Sequence, residues 1–305
     1  MTTTNRPLAG LVVNLSLSES DDSAKRGFPA WQVNRVMLQF VTALFGQGTG
    51  IVFGHDWRED GVMEAVHGFA LQIQPPVPLS PEAAAAELQP LLRNILPWPD
   101  SPRLSEEEQE QLRSTLKVES AGLPEELQQF DNDAQTAGPN SPLYTYLRAR
   151  GLTFLRHKLN SVCHVRLCVG GRRSGSQGRY PGVIEEALLA VQQNKPLFVA
   201  SILGGASEQV VEAVEGGEMP EDFCGPTQIQ RLYQQPPVNE TNVATYADRV
   251  VDRTAVWREF AETGKRQLAE RNGLTIEEND ELLHTPVVER AIELVLIGLS
   301  RIQAA

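Results

Sequence analysis

Cysteine is scarce in this chain: three residues in 305, at Cys163, Cys168 and Cys224. An odd, sparse count argues against a disulfide framework, and no two of them form a CxxC pair, which argues against a zinc ribbon. Basic residues are outnumbered, 27 Lys and Arg against 39 Asp and Glu, for a net charge of −12. Such a chain repels a phosphate backbone, so general nucleic-acid binding is not expected. Any anion it holds must be met by a local cluster of donors. Long apolar runs are also missing. The longest near the C-terminus, Ala291 to Leu299, contains Glu293 and is too short to cross a bilayer. Met1 to Pro7 is polar and lacks the apolar core of a signal peptide, so a cytoplasmic location without membrane association is expected. The histidines (His55, His67, His157, His164, His284) show no metal-ligand spacing, and HExxH and GxSxG do not occur. No GxGxxG follows the first strand, and no Gly-Lys-Ser/Thr follows a glycine-rich loop. Metal chemistry, serine hydrolysis, hydride transfer and ATP hydrolysis are therefore poor fits, and no metal or cofactor is expected.

What is present is an alternation of short buried runs and amphipathic stretches. Leu8 to Leu17 reads as a strand, and Ala30 to Gly46 as a helix with Val33, Val36, Met37, Phe40, Val41 and Leu44 at helical spacing. Gly50 to Gly54 (GIVFG) is a second strand, followed by a helix over about 60–71. After a proline-rich stretch the rhythm resumes. A helix is expected from Pro142 to Leu159, a strand at His164 to Val169 (HVRLCV), a helix over Gly182 to Gln193, a strand at Pro196 to Ile202 and a helix over Ser207 to Glu215. The rest reads as helix over about 226–234, 245–263 and 276–302. This order predicts a Rossmann-like α/β fold, a parallel sheet with helices on both faces. A single domain spanning 1–305 is expected, with an inserted loop and helix segment at about 75–141 and a helical C-terminal extension at about 226–305.

The most informative segment is Gly170 to Glu186, GGRRSGSQGRYPGVIEE, between a strand and a helix. Gly170 and Gly171 allow close approach of a ligand to the backbone. Arg172, Arg173 and Arg179 lie in a run free of acids, beside Tyr180. The helix starting near Gly182 offers free N–H groups and a positive dipole end, which suits a diphosphate. The alternative is a surface loop with solvated arginines. Glu185 and Glu186 fall in the first turn of that helix. They either complement the dipole or face a sugar, where a carboxylate accepts from ribose hydroxyls or stabilises an oxocarbenium-like transition state. A second candidate is Gly54-His55-Asp56-Trp57-Arg58, directly after a strand. Trp57 could stack on a base, Arg58 meet phosphate and Asp56 bind ribose, or Asp56 could simply cap a helix. Ser16 and Ser18, and Gly204 and Gly205, occupy two further strand ends, where turn chemistry is the plain alternative.

Taken together, LSLSES at the end of the first strand, GIVFGHDWRxDG, and GGRRxGxxGRYPGVIEEALLA followed by KPLFVASILGGAS resemble the SLOG superfamily. The tail, with GLTIEENDELLHT and ELVLIGLSRI, is also similar to bacterial SLOG proteins. The superfamily groups Rossmann-like domains related to LOG-type phosphoribohydrolases, DprA, the ligand-sensing domains of Thoeris-type antiphage proteins and the N-terminal region of melastatin-type channels. The resemblance covers most of the chain outside 75–141. It implies a site for a nucleotide or nucleotide derivative, an ADP-ribose- or NAD-related ligand among them, built from these strand ends. LOG enzymes carry PGGxGTxxE, whose Glu assists cleavage of an N-glycosidic bond. Here Gly170-Gly171 resembles the glycine pair and Glu186 stands in the place of the motif Glu. A longer, arginine-bearing loop separates the two halves, and Val183 replaces the motif Thr. That departure favours a sensor or a different nucleotide substrate; the first reading is a sensor, with a protein partner or homo-oligomer to relay the signal in antiphage defence. The other reading is an enzyme that cleaves an N-glycosidic bond through Glu186, with Glu185 beside it.

Overall fold

The computed structural model describes residues 6–54, 62–73, 90–102, 104–113, 115–223, 228–238 and 251–304. In chain order its elements are β1 (Val12–Ser18), α1 (Ala30–Gly46), β2 (Gly50–Phe53), α2 (Val62–Ile73), β3 (Leu92–Leu96), α3 (Glu106–Leu112) and β4 (Leu116–Ser120). A 3-10 turn at Glu125–Phe130 leads to α4 (Asp131–Ala137), α5 (Pro142–Val162), β5 (Val165–Gly170), α6 (Gly182–Gln192), β6 (Leu197–Ala200) and α7 (Ala206–Val214). The chain continues with α8 (Gln228–Gln234), α9 (Arg253–Asn272), α10 (Ile276–His284) and α11 (Val288–Ala304). The six strands form one sheet in the order β4-β3-β2-β1-β5-β6, every neighbouring pair parallel.

Alternation along the strands explains how the layers pack. Val13, Leu15 and Leu17 of β1 and Val165, Leu167 and Val169 of β5 point to one face, into a core shared with α1, α2 and α11. The opposite face receives Cys168 with apolar residues of α6, α7 and α9, and Val52 and Ile95 with Leu155 and Leu159 of α5. Asn14 and Ser16 on β1 and Arg166 on β5 have the parity of this second face, so polar groups enter an otherwise apolar layer.

The expected α/β fold is present, with local differences; among the described residues the helix expected over about 245–263 starts at Arg253 and runs on to Asn272, with a kink at Gly264. The stretch expected as loops and helices at about 75–141 supplies β3 and β4, which extend the main sheet on the β2 side. Each strand is only five residues long and carries charge (Arg93, Lys117, Glu119), so no buried run marks it in the sequence. Arg93 donates to Glu119 at 2.6 Å across the pair, which makes those charges compatible with strand pairing. The expected last helix, 276–302, is two helices: α10 ends at His284 and α11 begins at Val288, with Pro286 between them. Proline lacks the N–H and restricts the residue before it, so the break falls there. Several helix starts are capped: Ser141 accepts from Tyr144 N with Pro142 at the first helical position, and Ser105 with Glu108 and Thr275 with Glu278 make reciprocal capping boxes.

Candidate functional site

The strand order fixes where a ligand fits. From β1 the chain steps outward through β2, β3 and β4, and then returns to the other side of β1 as β5. In an open parallel sheet a reversal of this kind leaves a crevice beyond the carboxyl ends of the two central strands. A cleft of about 200 Å³ lies beside it, over the carboxyl ends of β1 and β2 and closed by the start of α6. It is lined by Asn14 through Ser18 of β1, Phe53 and Gly54 at the end of β2, Met37 of α1, and Gly182, Val183 and Glu186 at the start of α6. Of the residues expected at the site, the fold brings together Ser16, Ser18, Gly54, Gly182 and Glu186.

Glu186 forms the polar floor of the cleft, in an elaborate setting. Its Oε2 accepts from Arg166 Nη1 at 2.7 Å and, in a very short contact, from the Ser16 hydroxyl. Arg166 is completely buried. Its guanidinium also donates to Asn14 Oδ1, and to Asn160 Oδ1 of α5 at 3.2 and 3.3 Å. Asn14 in turn donates to the Val52 carbonyl at 3.0 Å, and Asn160 to Gln193 at 2.8 Å. A buried cation survives only when paired and hydrogen-bonded, and this one has both.

Glu185 differs from its neighbour. The turn of the helix sends it toward α5, where it is buried, accepts from Thr153 at 2.6 Å and pairs with Arg156. It does not line the cleft. Arg156 lies between the two carboxylates, its Nε 3.7 Å from Glu186 Oε1. A Cβ on Gly178 would fall 2.4 Å from Arg156 Nη1, so the loop before α6 closes directly over this guanidinium.

The glycine pairs join strand ends to one another. Gly170 has φ +72°, and a Cβ there would lie 2.3 Å from the Ser18 carbonyl. Gly205 has φ +68°, and its Cβ would lie 2.2 Å from the Gly171 carbonyl. Gly171 and Gly204 share the left-handed conformation, and Ala206 N donates to Gly171 O at 2.8 Å. At Gly54 a side chain would strike Leu159, so its smallness seats α5 on β2.

The arginines of the 170–186 segment do not converge on one point. Arg173 is ion-paired with Asp22, has Glu208 and Asp222 at 3.9 Å, and its backbone N–H donates to Asp21 at 2.7 Å. Carboxylates of the chain itself already neutralise it. Arg179 lies over the Tyr180 ring, 4.9 Å from its centroid. Tyr180 is buried, and its hydroxyl accepts from Asp252 N at 2.9 Å, so it anchors the start of α9 and does not face the cleft. Arg172 is exposed and makes no ion pair among the described residues. His55, Asp56, Trp57 and Arg58 lie outside the described residues. Reading the sequence missed Asn14, Arg156 and Arg166. The available signal was an arginine inside the buried run HVRLCV, on the same parity as a cysteine that proves fully buried.

Among the described residues one His/Asp/Glu group brings its possible ligand atoms within 4.8 Å of one another: Glu215, Asp280 and His284, all exposed. Lys265 Nζ bonds both carboxylates, at 3.2 and 2.7 Å, and already supplies the positive charge. No helix of the described residues is long and apolar enough to cross a membrane.

No curated protein and no solved structure matches the chain. The family model described as SLOG cluster2 matches residues 7–282, which include all six strands and the whole crevice. The chain therefore belongs to the SLOG superfamily, a membership that points to sensing or processing of a nucleotide-related ligand.

Proposed function

We propose that the chain binds a nucleotide-derived small molecule in the cleft between β1, β2 and the start of α6 and acts as a sensor that does not turn it over. The observation that carries this reading is the tethering of Glu186 by Arg166 and Ser16. A general acid or base must gain and lose a proton during a cycle, and a nucleophile must be free to move. A carboxylate held by a buried guanidinium and a serine hydroxyl is fixed in place, which suits an acceptor for ligand hydroxyls. The free N-terminus of α6, where Pro181 provides no side-chain cap, and the exposed Arg172 supply positive potential nearby for a phosphate. A sensor must hand on its signal, so a protein partner or a second copy of the chain completes the reading, and the resemblance to Thoeris-type sensing domains supports a role in antiphage signalling. ADP-ribose- and NAD-related ligands are the first to test.

One observation favours the second reading, an enzyme cleaving an N-glycosidic bond: Glu186 does face the cleft, from the first turns of α6. The deciding experiment is mass spectrometry of small molecules released from the natively purified protein, followed by incubation with NAD, ADP-ribose, cyclic ADP-ribose and nucleoside monophosphates. Retention of an intact nucleotide without turnover is expected. Release of nicotinamide or a free base, abolished in Glu186→Gln, would establish the enzyme instead.

A further inference from the structure

The two edges of the sheet differ in how their backbone groups are met. In a parallel ladder, successive residues of a strand address opposite neighbours. On the outer side of β6 the C-terminal helices take up those groups: Leu197 O accepts from Asn272 Nδ2 at 3.0 Å, and Ser201 N donates to Leu283 O at 3.3 Å. The outer side of β4 has no such cover. Leu92 N donates to Thr115 O and Ala121 N to Leu96 O, so with the observed register Lys117 and Glu119 also turn their backbone groups to β3. Those of Leu116 and Val118 point outward and meet no backbone partner among the described residues. An open edge of this kind is a template for a further strand.

We propose that this edge binds a second copy of the chain, β4 against β4, antiparallel about a two-fold axis at Val118. The strand reads Leu-Lys-Val-Glu-Ser. Centred on Val118, each Lys117 faces Glu119 of the partner subunit, on the side of the sheet that carries α5. Opposite charges directly across a strand pair are stabilising. Both side chains have capacity for the contact. Lys117 is 53% exposed. Glu119 Oε1 takes both contacts from Arg93, at 2.6 and 2.5 Å, while Oε2 has only Lys117 of its own chain at 3.5 Å. The same centre makes Val118 and its copy a hydrogen-bonded pair, each N–H donating to the other's carbonyl, and Leu116 with Ser120 the next such pair. Ser120 O already accepts from Lys158 Nζ at 3.3 Å, and a carbonyl has a second lone pair to offer. Other arrangements fail on these residues. A centre at Lys117 or Glu119 sets like charges opposite each other and aims backbone groups that β3 already uses. Parallel addition lacks the two-fold axis that closes a dimer. A strand of unrelated sequence leaves two edge charges unmatched. Because the strands run in opposite directions across the axis, the two clefts open at opposite edges of one continuous sheet and neither is blocked. Such a dimer supplies the second copy that the sensor reading calls for, but the pairing itself rests on β4 alone.

The test is sedimentation equilibrium of the full chain over a concentration series, without ligand, beside Lys117→Glu and Glu119→Lys, each checked for folding by its thermal transition. One strand pair is a small interface, so the unaltered chain should dimerise with a Kd on the order of 10 µM. Each variant alone sets like charges opposite each other and should weaken the dimer about tenfold or more. An equimolar mixture of the two variants restores opposite charges at both cross-strand pairs and should recover the dimer, a result that a purely structural role for either residue would not give. Should Glu119→Lys fail to fold for want of the Arg93 contact, hydrogen exchange of the unaltered chain decides: amides over 115–121 should exchange more slowly above the Kd than below it. A chain that stays monomeric throughout the series, a dimer that Lys117→Glu leaves equally tight, or exchange over 115–121 that ignores concentration overturns the proposal. Each of those results leaves nucleotide binding in the cleft untouched.

Discussion

At the residue scale, the pair formed by Arg166 and Glu186 governs both stability and site chemistry. Removing one partner leaves the other without compensation, and for Arg166 that means a bare cation in the interior. Glu186→Ala should therefore cost about 3 kcal/mol in urea unfolding, far above a typical surface change. The double variant Arg166→Met with Glu186→Leu should be less destabilised than Glu186→Ala alone, because it removes the charge together with its partner. A double variant worse than the single would show that the pair itself is strongly stabilising. Cys168 lies on the same face as Arg166, and burial pushes its thiol up to about 12; the same cause raises Cys163. Both thiols should resist alkylation near about pH 8, where an ordinary free cysteine near 8.5 reacts readily. Peptide mapping after labelling checks this, with modification expected only once the chain is unfolded. The sequence made Glu186 legible through its place after a strand, a glycine pair and a helix start. It hid Arg166, because an arginine within a strand reads as polar until the partner that allows its burial is known.

At the element scale, the glycine turns and the C-terminal helices hold the site's frame. Gly205→Ala places a Cβ 2.2 Å from the Gly171 carbonyl at a φ of +68°. Strain of that kind costs about 1–3 kcal/mol, and the thermal midpoint should fall accordingly. An unchanged midpoint would mean that the turn relaxes freely. In the C-terminal part, ion pairs fasten α10 to α11 and to α9. Glu278 is held below the usual carboxylate range by its hydrogen bonds from Arg301 and Thr275 N, Glu281 by Arg290, and Asp280 by Lys265. Because these folded values are depressed, the unfolded chain binds more protons in acid. The stabilisation is complete above the ordinary carboxylate range, about pH 5 and higher, and is lost as pH falls through the depressed values. The effect should be modest, since Asp280 and Glu281 are exposed and Glu278 is only half-buried. Thermal midpoints should fall on acidification below about pH 4.5, and Arg301→Ala should flatten that fall. The helices themselves were legible from their periodicity. The strands β3 and β4 were not, because their charges are satisfied by a neighbour that only the sheet provides.

At the scale of the whole molecule, the order β4-β3-β2-β1-β5-β6 turns local signals into one site. Four strand ends with small or polar residues could be read from the sequence, and their convergence at a parallel sheet's edge followed from the strand–helix alternation. Which of those ends share a single cleft could not, since that depends on β5 returning beside β1. The three arginines illustrate the limit. Close in sequence, they suggested one anion site, but Asp21, Asp22, Glu208 and Asp222, from three separate segments, surround Arg173. On the proposed reading the cleft between β1, β2 and the start of α6 is the ligand site and Glu186 the group that meets the sugar. Its most direct test is a crystal structure of the protein with its retained or best-binding nucleotide. The account predicts density in that cleft, with a ribose hydroxyl within hydrogen-bonding distance of Glu186 Oε1 and the phosphate directed toward the start of α6. A nucleotide bound elsewhere, or one with a phosphate against Glu186, would contradict it.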